Sequence, residues 1–150
     1  RIDPVIDFDW GGGSPAADYV DADLFTVRWT GFIEPLVTER YTFYPSTDDG
    51  VRLWVDEQLI VDQWVPQGIT ETSGSIELKQ GQRYRIRMEY YEAYGLAAAQ
   101  LRWSSPRTPK QIVPSSQLYP DDLLAARSGE AAQLFPNPFR DNLGLLLSNH

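Results

Sequence analysis

Two adjacent carboxylates, Asp48 and Asp49, are the residues of this chain best placed to do chemistry. They are followed at once by Gly50 and the alternating run Val51-Arg52-Leu53-Trp54-Val55-Asp56. Calcium takes about six to eight oxygen ligands and prefers carboxylates among anions. Paired aspartates at a loop tip are therefore a candidate calcium site. Glu92, in Glu92-Ala93-Tyr94-Gly95, is the candidate third carboxylate. The plainer alternative makes Asp49-Gly50 a hairpin turn whose backbone Asp48 caps. For Glu92 the plainer alternative is a salt bridge to Arg52 or Arg102. Neighbouring side chains on a regular strand point to opposite faces, so an Asp-Asp pair there cannot easily chelate one ion. Tyr91 and Tyr94 offer an aromatic wall on which a sugar ring can stack, and Trp54 falls on the polar face of the strand just beyond the pair. The alternative for all three is ordinary packing.

Composition narrows the rest. The chain has 150 residues, with 13 basic against 21 acidic side chains and a formal charge of −8. That length suffices for one domain with a real core plus tails. The acidic balance argues against nucleic acid, where Lys and Arg must neutralise phosphates, and against an anionic membrane surface. Asp3, Asp7, Asp9, Asp18, Asp21 and Asp23 are matched early only by Arg1, and most read as a solvated acidic loop without the spacing of an EF-hand. There is no Cys, which excludes disulfides, thiolate nucleophiles and Cys-ligated metals. The single His is the terminal His150, which removes a Ser-His-Asp triad, a His-ligated zinc and a His general base. No apolar run is long enough to span a bilayer. The chain starts at Arg1 rather than Met and reads as an excerpt of a longer protein, so a missing signal peptide carries no information.

The elements that must position these residues are strands. Tyr84, Ile86, Met88 and Tyr90 alternate with Arg83, Arg85, Arg87 and Glu89, so one face packs on a core and one meets water. Ala97, Ala99, Leu101 and Trp103 alternate likewise with Ala98, Gln100, Arg102 and Ser104. Val51, Leu53 and Val55 share a face, as do Phe25, Val27 and Trp29, and Tyr41 and Phe43. Further strands are expected at Leu59–Asp62 and Ser75–Leu78, with turns at Asp49-Gly50, Gln80-Gly81 and Tyr94-Gly95. The fold class is all-β, an antiparallel β-sandwich, with a mostly irregular C-terminal tail. A helix-like stretch over Asp121–Arg127 has Asp121 as its N-cap. The domain reading is a sandwich over 1–120, a linker over 121–133, and a Pro-Asn-Pro turn with a Leu-rich strand in 134–150.

From about Val5 to Pro120 the chain resembles the PA14 domain, named after anthrax protective antigen. The resemblance is carried by Phe8-Asp9-Trp10, Phe25 through Gly31, Tyr41-Thr42-Phe43, Thr47 through Asp56, Ile60 through Trp64, and Glu89 through Trp103, in the family's order. It implies a secreted or cell-surface β-sandwich. In adhesin members, paired aspartates hold calcium through a cis peptide and the ion grips vicinal sugar hydroxyls. Asp48 and Asp49 match that pair. A cis bond brings neighbouring Cα atoms from about 3.8 to 2.9 Å apart, which lets both carboxylates converge. The matching second loop, Glu92-Ala93-Tyr94-Gly95-Leu96, departs from the family in having no Asn. The implied metal set is Asp48, Asp49 and Glu92 with Ala93, Tyr94 and Leu96. The implied sugar contacts are Asp48, Asp49, Trp54, Tyr91 and Tyr94. A shorter likeness, Phe135-Pro136-Asn137-Pro138-Phe139 with Asn142-Leu143-Gly144-Leu145, resembles the start of the C-terminal sorting domain of type IX secretion cargo in Bacteroidetes.

The expected function is a non-catalytic, monomeric carbohydrate-binding module. Its cofactor is calcium and its partners are a glycan or neutral sugar and other domains of the parent protein, without nucleic acid or membrane insertion. The alternatives are a structural or protein-interaction module beside a catalytic domain, and a glycosidase using Asp49 and Glu92. The latter needs carboxyl groups about 5–5.5 or 6.5–9.5 Å apart across a cleft.

Overall fold

The computed structural model describes residues 1–17 and 20–121, and the backbone of 145–149. In chain order the strands are β1 (Asp7–Gly11), β2 (Phe25–Ile33), β3 (Glu39–Asp48), β4 (Gly50–Val55), β5 (Gln58–Gln63), β6 (Thr70–Glu71), β7 (Gly74–Leu78), β8 (Tyr84–Glu92), β9 (Ala97–Ser105), β10 (Thr108–Ile112), β11 (Leu118–Tyr119) and β12 (Leu145–Asn149). They form two antiparallel sheets. One runs β1-β9-β3-β6, with β10 also on β9 and β7 also on β3; the other runs β11-β2-β8-β4-β5, with β12 also on β2. The expected sandwich is present, and so are all the strands expected from alternation.

Burial follows the alternation. Phe25, Val27, Trp29 and Ile33 of β2, Val51, Leu53 and Val55 of β4, and Ile86, Met88 and Tyr90 of β8 face Tyr41 and Phe43 of β3 and Ala97, Ala99, Leu101 and Trp103 of β9. Each large apolar side chain removed from water contributes about 1.5–3 kcal/mol. Aromatic contacts pack the core within and between the sheets: Tyr41 lies 4.7 Å from Trp103 and Phe25 5.9 Å from Tyr90 within a sheet, and Trp10 lies 5.9 Å from Tyr90 across the layers. Trp29 and Trp103 are buried, and Trp10 packs partly buried against the core.

Several expectations change. Asp3 does not belong to a solvated loop. Its carboxylate accepts from Trp29 Nε1 at 2.9 Å and pairs with Arg1 at 2.9 Å. Burial pushes its pKa up, against the lowering effects of Trp29 and Arg1. Asp7 and Asp9 lie on β1, paired with β9. The arginines at the start of β8 and just before it are not simply solvated: Arg83 lies over Tyr119 at 3.6 Å, Arg85 over Phe32 at 4.8 Å and Arg87 over Trp54 at 4.0 Å. In the tail, the Leu-rich strand exists as β12, paired with Phe25–Trp29 of β2. The linker, the helix beyond Asp121 and the Pro-Asn-Pro turn lie outside the described residues.

Asp49-Gly50 is not a hairpin turn. Its two flanking strands belong to different sheets, β3 pairing with β9 and β4 with β8. Asp49 is the point where the chain crosses from one layer to the other, at the end of the sandwich. This position, rather than turn geometry, is what the aspartate pair marks.

Candidate metal centre

Two strand ends and a crossover build the site. β3 delivers Asp48, the crossover delivers Asp49, and the last residue of β8 delivers Glu92. The Asp48–Asp49 peptide bond is cis. One carboxylate oxygen from each of Asp48, Asp49 and Glu92 lies within 4.8 Å of the others. Glu92 shares the inward face of β8 with Met88 and Tyr90, which is why an acidic residue ends up only 1 % exposed. The salt bridge to Arg52 or Arg102 does not form: Arg52 pairs with Asp62 at 3.0 Å, and Arg102 donates to Gln100.

The electrostatics are unfavourable without a cation. Glu92 Oε1 is buried with no hydrogen-bond partner. Its pKa is pushed up to about 8, first by burial and then by the charges of Asp49 and Asp48. Asp48 is also raised, by burial and then by Asp49. Tyr90 donates its hydroxyl to the Asp48 carbonyl, and its phenol is pushed well up by burial and by Glu92. Three converging carboxylates with an orphaned oxygen form an all-oxygen donor set of the kind a hard divalent cation takes.

Asp49 also does mechanical work. Its Oδ1 accepts from Gln67 N at 2.9 Å and its Oδ2 from Ala93 N at 2.8 Å. Gln67 Nε2 donates back to the Asp49 carbonyl at 3.0 Å. The β8–β9 loop is held further by Leu24 N donating to Ala93 O at 2.9 Å. Gly95, at φ +94°, donates to Asp23 Oδ1 at 3.1 Å. Gln67 and Asp23 hold the loops around the cluster, a role that sequence reasoning missed. Both lie on loops, where no periodicity marks them.

The other expected site residues divide. Ala93 lies against Asp49, while Tyr94 and Leu96 stand out from the same loop, 71 % and 67 % exposed. Tyr91 is on the outer face beside Gly50, as expected from alternation. Trp54 has the expected outward face but the wrong distance. It pairs in register with Arg87, four residues or about 13 Å along β4 from the Gly50–Tyr91 position. The tryptophan beside Tyr91 is Trp64, whose ring lies 4.8 Å from Tyr91 and carries the Arg52 guanidinium at 4.7 Å. With Leu24, Thr26 and Glu92 this pair lines an open groove beside the cluster.

Gly50 is demanded by this packing. A Cβ there would run into the Tyr91 ring and meet Val65 N at 3.0 Å. Gly50→Ala is expected to cost about 1–3 kcal/mol, measured by urea denaturation, because a backbone atom and a packed ring must both shift.

The sandwich, crossed at one end by a cis Asp-Asp pair, defines a class. Residues 1–117 match the PA14 domain family, and the chain belongs to it. It is 55% identical over 122 residues to the anti-sigma-I factor RsgI3 of Acetivibrio thermocellus, covering 81% of this chain and 19% of that protein. A solved anti-sigma factor domain-containing protein superposes with a TM-score of 0.79 at 55% identity, over 81% of this chain and 42% of the other. A solved PA14 sugar-binding domain from an RTX adhesin has the same fold, with a TM-score of 0.61 at 19% identity, over 76% of this chain and 75% of that one. The chain thus spans about a fifth of the length of that curated relative. Among the described residues, no helix is long and apolar enough to cross a membrane.

Proposed function

We propose that this domain is a non-catalytic carbohydrate-binding module that holds a calcium ion on Asp48, Asp49 and Glu92 and binds a neutral glycan through it. One observation carries the reading: the buried Glu92 Oε1 has no partner while two further carboxylates converge on it. A divalent cation satisfies that oxygen and offsets the mutual repulsion. Carbonyls of the Glu92–Leu96 loop are the natural additional donors, and vicinal hydroxyls of a sugar fill the remaining positions. Trp64 and Tyr91 provide the ring platform beside it. The name of the RTX adhesin domain, a sugar-binding one on this fold, agrees with this reading. The setting is a secreted or cell-surface parent protein.

Catalysis by the same carboxylates is disfavoured. One oxygen of each of the three converges within 4.8 Å of the others, an arrangement that suits a shared ion rather than two carboxyl groups facing each other across a substrate cleft. Both Asp49 oxygens already accept backbone N–H groups. A second reading, a protein-interaction module of a larger protein, is favoured by the match to part of an anti-sigma-I factor.

The test is calorimetric titration of chelator-treated protein with calcium, followed by a glycan array with and without calcium. Binding to calcium and then calcium-dependent glycan binding is the expected result. Calcium binding without any glycan leaves only the interaction module. No calcium binding removes the metal reading.

A further inference from the structure

One edge of β2 is shared by two segments far apart in sequence. β11 sets Leu118 opposite Ile33 and Tyr119 opposite Phe32. β12 sets Leu145 opposite Trp29 and Asn149 opposite Phe25. Both run antiparallel to β2, and since β8 pairs with all of Phe25–Ile33 on one side, both lie on the other. β12 therefore resumes the same strand position three residues along β2 from where β11 stops. That gap is about 10 Å, while residues 122–144 between the two segments have a fully extended reach of about 75 Å. Pro120 explains why β11 does not simply run on, because proline has no N–H to give to a ladder.

The sandwich does not use the tail strand as part of its frame. Its core cluster runs from Ile6 to Val113, and the match to the family ends at residue 117. Among the described strands, β12 pairs with β2 alone. Within residues 1–121 nothing described covers the outer edge of Phe25–Trp29, where alternate N–H and C=O groups point away from β8. Such an edge is a template for a further strand. A segment held there by one row of backbone hydrogen bonds, on a connection far longer than the gap it bridges, stands to the domain as a tethered ligand.

We propose that the β2 edge from Phe25 to Trp29 is a strand-docking site, filled in this chain by its own segment Leu145–Asn149 as a releasable strand. The partner it fits is an extended, proline-free segment entering antiparallel to β2. Recognition is through the backbone ladder, and the register fixes the direction of the docked strand. It runs towards the acidic end of the sandwich, because Asn149 lies opposite Phe25 and Phe25 lies opposite Glu92.

The experiment follows amide hydrogen exchange in the full chain and in the double variant Leu146→Pro with Leu147→Pro. Adjacent residues of a strand send their N–H groups to opposite sides, so one of the two faces β2 whichever way the ladder is phased. In the unsubstituted chain the edge-facing amides of Phe25–Trp29 are expected to be protected. In the variant they are expected to exchange about tenfold faster or more, while the amides facing β8 keep their protection and the melting temperature falls by less than about 5 °C. A peptide of residues 143–150, added at about 1 mM, is expected to restore protection in the variant and to leave the unsubstituted chain unchanged. Unprotected edge amides in the unsubstituted chain would overturn the docking. A variant that loses protection throughout would make β12 an integral strand and overturn its release. A peptide that restores nothing would overturn the edge as a site for a strand from outside. Protection that falls on dilution, with dimers seen by sedimentation, would seat a second copy's strand there and overturn the assignment to the chain's own tail.

Discussion

Asp49→Ala is expected to abolish calcium binding and, in the presence of chelator, to destabilise the domain by about 2–4 kcal/mol. The two effects have separate causes. The first is loss of a central carboxylate from the cluster of Asp48, Asp49 and Glu92. The second is loss of the acceptor for Gln67 N and Ala93 N, which pins two loops at once. Removing a charged acceptor from partly buried N–H groups costs about 1–3 kcal/mol each. Part of that is offset, because the substitution also relieves repulsion on Asp48 and Glu92. The hydrogen bonds win, since there are two of them and they are short. Isothermal titration reads the first effect and urea denaturation with chelator reads the second. Unchanged calcium affinity would sink the metal assignment. Unchanged stability without calcium would show that the loops hold without Asp49.

The second large effect is a pH dependence that calcium removes. Glu92 has its pKa raised from about 4.5 in the unfolded chain to about 8 in the fold. Below the unfolded value the group is protonated in both states and folding carries no penalty from it. Between the two values the unfolded chain releases the proton while the fold retains it, so stability falls as pH rises. Above the folded value both states are ionised and the penalty is complete, on the order of 4 kcal/mol. Asp48, raised as well, acts in the same direction. Chelated protein is therefore expected to melt lower at pH 9 than at pH 5. Calcium requires the ionised carboxylates, so its affinity rises over the same window and binding near pH 7 releases close to one proton from Glu92. Calorimetry in buffers of different ionisation enthalpy counts that proton, and thermal melts with and without calcium follow the stability. A chelated melting temperature that stays level from pH 5 to 9 would refute the coupling.

Both effects depend on contacts that the sequence could only partly announce. The strands were legible because side chains on a pleated strand alternate between faces, so a period of two marks both the strand and its inner side. That rule placed Tyr90 inside and Tyr91 outside, as found. It also carried the direction of Trp54 correctly but not its distance from the aspartates, which depends on how far along β4 it sits.

Glu92 is the sharper case. The same alternation puts it on the inner face with Tyr90. A carboxylate on that face reads as a surface residue until it is known that β8 ends at the mouth of the sandwich beside the crossover. Asp23 and Gln67 had no local signal at all. Their hydrogen bonds join loops that are distant in sequence, and loops carry no periodicity.

The sequence by itself determined the strands, their faces and the acidic pair, because those follow from local sterics and from which side chains avoid water. Tertiary structure alone decided that Asp49-Gly50 crosses between sheets instead of turning a hairpin. That choice rests on β3 pairing with β9 and β4 with β8, and such long-range pairing is not written in any short window of residues. The same pairing brings Glu92 to Asp48 and Asp49, and turns three separate carboxylates into one centre.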